Sequence, residues 1–197
     1  MKRSLLGSLV LSVAVAAPAL AEGLAVGDKL APFRLPQAAG PEFDLASLGG
    51  KKAVVILFIA TQCPVSNAYN ERMAALARDY SSKGVAFVGV NSNKQESAAE
   101  VVEHAKQHGF DFTLLKDAGN VQADRFGAHV TPEAYVFDSN WTLRYHGRVD
   151  EDRSGQNVTS PDLRNALDAL LAGREIAVKE TKAFGCTIKR VDKAPGA

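Results

Sequence analysis

Ala53-Val-Val-Ile-Leu-Phe-Ile-Ala-Thr-Gln-Cys63-Pro-Val-Ser66 is the stretch that decides the fold. Ala53 to Ala60 is an unbroken apolar run rich in β-branched side chains. It has no polar face to give to water, so it reads as a strand buried on both faces. Cys63 and Pro64 follow shortly after the run ends. Then comes Asn67 to Tyr80, where Met73, Leu76 and Ala77 fit the buried face of a helix. Cys63 is thus expected past the C-terminal end of a buried strand and close before a helix, the edge where α/β sheets form their sites. A helix N-terminus carries about half a positive charge and unpaired N–H groups. Both favour a thiolate over a thiol, which makes Cys63 a candidate nucleophile, the alternatives being an inert buried cysteine or half of a static disulfide.

Working outward, Val85-Ala-Phe-Val-Gly-Val90 reads as a second buried strand, and Ser97 to His108 as a helix stopped by Gly109. Phe112 to Leu115 fits a short strand, and Asn120 can cap a short helix ending near Phe126-Gly127. Ala134–Phe137 and Leu143–His146 read as strands joined by Asp138-Ser-Asn-Trp-Thr. Asp162 to Leu171 is a helix with Leu163, Ala166, Leu167 and Leu170 on one face. Upstream, Glu22 to Gly50 reads as an irregular approach punctuated by Pro and Gly. Buried strands alternating with helices imply an α/β fold, a central mixed sheet with helices on both faces.

The termini bound the chain. Lys2 and Arg3, the apolar Leu5–Ala17 region, Pro18 and the small residues Ala19-Leu20-Ala21 predict a signal peptide over residues 1–21, cut after Ala21. Export, to a periplasm or outside the cell, is the expectation. The apolar core is shorter than the roughly 20 residues of a membrane span. A single domain is expected over 22–172, with a tail over 173–197 that carries Cys186. The full chain holds 23 basic and 22 acidic residues, and loss of Lys2 and Arg3 leaves 21 against 22. Near neutrality gives no reason to expect nucleic acid or anionic lipid as a partner. Two cysteines are too few for a disulfide scaffold, although an oxidising compartment lets a pair persist as a bridge.

Thr131-Pro132 is the second chemical feature. A Pro opening the Ala134–Phe137 strand removes a ladder hydrogen bond, so its placement calls for a reason. A cis peptide that turns the Thr131 backbone toward Cys63 is one.

Together, Phe58-Ile-Ala-Thr-Gln-Cys63-Pro-Val-Ser66 and Thr131-Pro132 resemble the active-site segment and cis-proline of the thioredoxin family. Gly27-Asp-Lys-Leu-Ala-Pro32-Phe33 and Leu45-Ala-Ser-Leu-Gly-Gly-Lys51 resemble the opening of redoxins of the peroxiredoxin and alkyl-hydroperoxide-reductase branch. The resemblance runs from about Val26 to Leu171. It implies a thioredoxin-like fold and thiol–disulfide chemistry with protein or small-molecule thiols and disulfides, with Thr131 and Pro132 contacting the substrate and no tightly held cofactor. The chain departs from both branches. Ser66 stands where thioredoxins have their second Cys and peroxiredoxins their peroxidatic one. Pro132 aligns where peroxiredoxins carry an Arg that polarises the peroxide. Both departures weigh against an efficient peroxidase.

With Ser66 in that place, Cys186 is the internal candidate for the resolving thiol, and Gly185 beside it permits close backbone approach. The alternative is a permanent Cys63–Cys186 bridge, worth roughly 4–5 kcal/mol by loop closure. Thr61 and Ser66 are expected to support the Cys63 thiolate. Rival readings are an atypical peroxidase using Cys63, a copper-handling module using Cys63, Cys186 and His129, and a structural binding domain. No metal site is expected: His104 and His108 read as a solvated helix face, His129 as a loop residue, and His146 as structural or exposed. Trp141 reads as a packing residue. Asn157-Val-Thr159 fits a glycosylation acceptor.

Placement at a helix N-terminus predicts that Cys63 titrates below the free value of about 8.5. Iodoacetamide alkylation of the reduced protein across pH measures this. A Cys63 rate that rises only above pH ~8.5 removes the case for activation.

Overall fold

In a computed structural model describing residues 23–192, β3 (Ala53–Phe58) is the middle strand of the main sheet, buried at every position. The predicted signal peptide lies outside the described residues. Two short strands precede it, β1 (Arg34–Pro36) and β2 (Glu42–Asp44). They pair antiparallel and lead into a 3-10 turn over Leu45–Leu48, where an irregular approach was expected. Each is three residues long and partly exposed, so no apolar alternation marks them.

After β3 come α1 (Pro64–Asn67), α2 (Asn70–Ser81), β4 (Val85–Asn91), α3 (Ala98–His108) and β5 (Thr113–Lys116). Then follow α4 (Val121–Phe126), β6 (Val130–Thr131), β7 (Glu133–Asp138), β8 (Leu143–Gly147), α5 (Asp162–Leu171) and β9 (Cys186–Thr187). The helix expected from Asn67 is two pieces, because Tyr69 N–H bonds Ser66 O in a tight turn that ends α1. Gly109 does stop α3, in left-handed conformation. Asn120 occupies the N-cap of α4 without capping it. Asp117 Oδ2 instead accepts from Gln122 and Ala123 N–H, while the Asn120 amide holds Ser92 O and accepts from Val191 N–H.

The five-stranded sheet runs β5-β4-β3-β7-β8, parallel across β5, β4 and β3 and antiparallel across β3, β7 and β8. This is the mixed sheet of a thioredoxin-like fold. On one face Val55, Leu57 and Ile59 pack with Met73 and Tyr80 of α2, Val101 of α3, and Leu163 and Leu167 of α5. On the other, Val54, Ile56 and Phe58 pack with Leu30, Phe33, Leu45, and Phe126 of α4. Among the described residues no helix is long and apolar enough to cross a membrane.

The register positions the site. Phe58, the last residue of β3, lies beside Val90 of β4 and opposite Glu133 of β7. The loop leaving β3 therefore meets the loop leaving β4 and the segment entering β7. The tail returns to the same end. It bonds the β8 edge at His146, buries Ile176 and Ile188, and pairs β9 with β6.

Phe126 is 1% exposed and meets Phe33, Phe58, Tyr135 and Phe137 edge-on at 5.1–6.0 Å between ring centroids. Phe126→Ala is expected to cost about 3–5 kcal/mol, the transfer loss plus the cavity left behind. Urea unfolding of the oxidised protein measures it, and a loss below about 1 kcal/mol contradicts this packing.

Candidate active site

Cys63 is the N-cap of α1, and its Sγ accepts the Ser66 N–H at 3.2 Å. The side chain is 4% exposed. Ser66 thus reaches the sulfur through its backbone, while its hydroxyl accepts from Ala60 N–H at 3.2 Å and pins the end of the strand run. Thr61 also acts through its backbone. Its N–H donates to Glu96 Oε2 at 2.8 Å and its carbonyl accepts from Asn67 Nδ2 at 2.9 Å. Among the described residues the Thr61 hydroxyl, which is buried, meets no partner, and neither does that of Thr131.

The Thr131–Pro132 peptide is cis, and Thr131 O lies 3.5 Å from Cys63 Sγ. Cys186 is joined to Cys63 as a disulfide, with Cα atoms 5.8 Å apart. β9 lies antiparallel to β6 in the register Thr131↔Cys186 and Val130↔Thr187. Gly185 makes this approach possible, since a Cβ there would collide with the Thr131 carbonyl. Cys63, Cys186, Thr131, Pro132, Ser66 and Thr61 therefore come together at one end of the sheet.

Two buried carboxylates frame the cluster. Glu96 accepts from Thr61 N–H, from Gln62 N–H at 3.1 Å, and from the amides of Asn91 and Asn93. Lys116 Nζ donates to Asn91 Oδ1 at 2.6 Å and to Asn93 O at 2.7 Å; burial lowers its pKa against the pull of Glu96 and Asp117. Glu133 follows Pro132 directly and accepts from His129 N–H at 2.9 Å and Val130 N–H at 3.2 Å. It also accepts from Tyr135 OH, and its Oε1 lies 2.6 Å from His146 Nε2. Burial works to raise the Glu133 pKa, but the bonds from His146, His129 and Val130 outweigh it and hold the carboxyl below its ordinary value.

Residues 26–146 match the AhpC/TSA family. The chain belongs to the AhpC/TSA family. Among relatives of this AhpC/TSA protein, the thiol:disulfide interchange protein DsbE of Yersinia pestis is 26% identical over 147 residues, 73% of this chain and 76% of DsbE. A Mycobacterium tuberculosis protein named as a peroxiredoxin is 27% identical over 129 residues, 66% of this chain and 80% of its own. Both names are those of oxidoreductases. The crystal structure of a hypothetical protein from Sinorhizobium meliloti 1021 superposes with TM-score 0.81 at 35% identity, covering 87% of this chain and 97% of that one.

The histidines do not behave as one class. His104 is 8% exposed, not on a solvated face as expected. Its Nε2 meets Asn70 Nδ2 at 3.0 Å, and burial lowers its pKa, with His108 adding to the effect. His146 is structural, bonded to Glu133 and stacked on Tyr135 at 4.3 Å. The copper set of Cys63, Cys186 and His129 does not assemble: both sulfurs are bridged, and among the described residues no three His, Cys, Asp or Glu converge as a metal site. Trp141 packs against the second core cluster, and Asn157 is exposed. Glu96 and Glu133, which hold the backbone on either side of the candidate site, are the residues that the sequence did not single out.

A carboxyl held below its ordinary pKa stabilises the fold above that value and loses the contribution as pH falls. Glu133→Gln is therefore expected to destabilise the protein at neutral pH, by roughly 1–3 kcal/mol. The gap between the two proteins should narrow as pH falls below 4.5. Denaturant unfolding at neutral and acid pH measures both, and a gap that widens with acid contradicts the assignment.

Proposed function

We propose that this AhpC/TSA protein is an exported thiol–disulfide oxidoreductase that cycles between a Cys63–Cys186 disulfide and a dithiol. One observation carries the reading. The disulfide joins a cysteine at a helix N-terminus to a second cysteine held in strand register on the cis-proline segment. The Cys63 thiolate attacks one sulfur of a substrate RSSR, forms Cys63–S–S–R and expels RS⁻. The Cys186 thiolate then attacks the Cys63 sulfur, expels the second RS⁻ and restores the bridge. RSSR gains two electrons and the two cysteines lose them. In the reverse direction RS⁻ attacks the Cys63 sulfur and expels the Cys186 thiolate; a second RS⁻ then attacks the R sulfur of Cys63–S–S–R and expels Cys63, whose thiolate the Ser66 N–H and the α1 N-terminus stabilise. Export is supported by the basic, apolar and small-residue pattern of residues 1–21 and suits a compartment where disulfides persist.

A second reading, slow peroxide reduction through a Cys63 sulfenic acid resolved by Cys186, is favoured by the family and the peroxiredoxin relative. Against it, Ser66 occupies the peroxidatic position and Pro132 that of the polarising Arg. Breaking a peroxide O–O bond fast requires donors placed for the leaving oxygen.

Reduced protein is expected to react with a mixed or strained disulfide at least ~10-fold faster than with hydrogen peroxide. Cys63→Ser should abolish both reactions, and Cys186→Ala should let a Cys63 mixed disulfide accumulate. Stopped-flow rates and intact-mass measurements decide. A Cys63-dependent peroxide rate above the disulfide rate transfers the function to the peroxidase reading.

A further inference from the structure

A thioredoxin-like site that takes polypeptides needs a free backbone edge beside its cis-proline, because strand pairing there supplies the affinity for an extended partner. Here that edge is full. Thr131 pairs with Cys186 and Val130 with Thr187 of the same chain, and Gly185 lies hard against the Thr131 carbonyl.

The disulfide is one of several attachments that hold the tail there. C-terminal to Cys186, Ile188 N–H donates to His129 O at 2.9 Å, Lys189 N–H to Asn93 Oδ1 at 2.7 Å, and Val191 N–H to Asn120 Oδ1 at 2.7 Å. Arg190 reaches Asp124 and the Ala128 carbonyl. Ile188 itself is 3% exposed within the core. On the N-terminal side, Thr181 N–H donates to His146 O, and Thr181 Oγ1 accepts from Arg148 N–H, both at 3.0 Å. Phe184 then packs against Tyr69. None of these bonds involves sulfur, so reduction of the bridge breaks none of them directly.

We infer that the substrates of this site are low-molecular-weight thiols and disulfides, and that extended polypeptides are excluded because residues 185–187 already occupy the strand edge they would use. The inference rests on the thiol–disulfide reading above and narrows it. A small disulfide needs only the space opened when the Cys63 and Cys186 sulfurs separate. It then undergoes the balanced two-step exchange: RSSR is reduced to two RS⁻ and the bridge reforms. A polypeptide disulfide must also lay its backbone along Thr131, which requires lifting β9 and breaking the anchors on both sides of it.

The test uses the reduced full chain with two probes, oxidised glutathione and a disulfide-linked dimer of an extended peptide of about ten residues. Glutathione disulfide is expected to react at least ~10-fold faster than the peptide dimer. Two variants loosen the tail while keeping both cysteines: Arg190→Ala removes an anchor, and Gly185→Ala forces the tail off Thr131. In each, the ratio of peptide rate to glutathione rate should rise at least ~10-fold. Amide exchange of reduced wild-type protein should stay slow at Ile188, Lys189 and Val191, and should quicken there in the variants. Equal rates for the two probes in wild-type protein overturn the inference but leave the exchange reading standing. So does rapid exchange at those amides in the reduced protein, or an unchanged ratio in variants whose amides have been freed. No reaction with either probe overturns the exchange reading along with the inference.

Discussion

Two buried carboxylates make the active end of this molecule possible. Glu96 and Glu133 each accept from two consecutive backbone N–H groups, Thr61 with Gln62 and His129 with Val130. These pairs belong to the two segments that face each other across Cys63. Both segments leave the regular ladder where backbone donors have lost their strand partners, and a buried unpaired donor costs about 1–3 kcal/mol. A carboxylate oxygen answers each donor with a charge-assisted bond, stronger than a neutral carbonyl would provide. Burying the charges is tolerable only because every bond is made: Asn91 and Asn93 complete Glu96, while Tyr135 and His146 complete Glu133. Loss of either carboxylate would free the segment that aims one half of the site.

The legible parts of this fold carry local signals. Continuous apolar runs marked β3 and β4, a proline at a strand entry marked the Thr131 segment, and the position of Cys63 between strand and helix marked it as the candidate nucleophile. Glu96 and Glu133 sent no such signal. Their spacing resembles that of any surface acid, and their partners are backbone groups 34–35 and 3–4 residues away. His104 deceived for the converse reason. A histidine four residues from another on a polar helix looks solvated, and only the approach of Asn70 from α2 and Phe110 beyond the helix end buries it. β9, two residues long, has no periodicity to read. Its existence depends on Thr131 being available from the other side.

The division of labour between Ser66 and Cys186 explains how one site does without a Cys-x-x-Cys motif. A second thiol on α1 would resolve a mixed disulfide from one turn away. In this chain that position serves architecture, with the Ser66 hydroxyl tying down Ala60 and its N–H turned to the Cys63 sulfur. The second thiol comes from 123 residues downstream, on a segment anchored independently on both sides. Geometry that a short motif would enforce through helix pitch is enforced here by strand pairing. The Cys63–Cys186 bridge and the docking of the tail are consequently one structural unit.

The Cys63–Cys186 bridge also has a mechanical meaning. It closes a covalent ring around α1 to β8 and α5, so tension applied to the two ends of the oxidised chain bypasses everything between residues 63 and 186. Only the approach strands, β3 and the last few residues can be drawn out, and β3 would have to slide from the centre of a sheet whose other four strands remain tethered to one another. Reduction returns the 123-residue span to the load path, adding on the order of 400 Å of extensible contour at about 3.3–3.6 Å per residue. The same chain is thus a short, stiff link when oxidised and a long, yielding one when reduced.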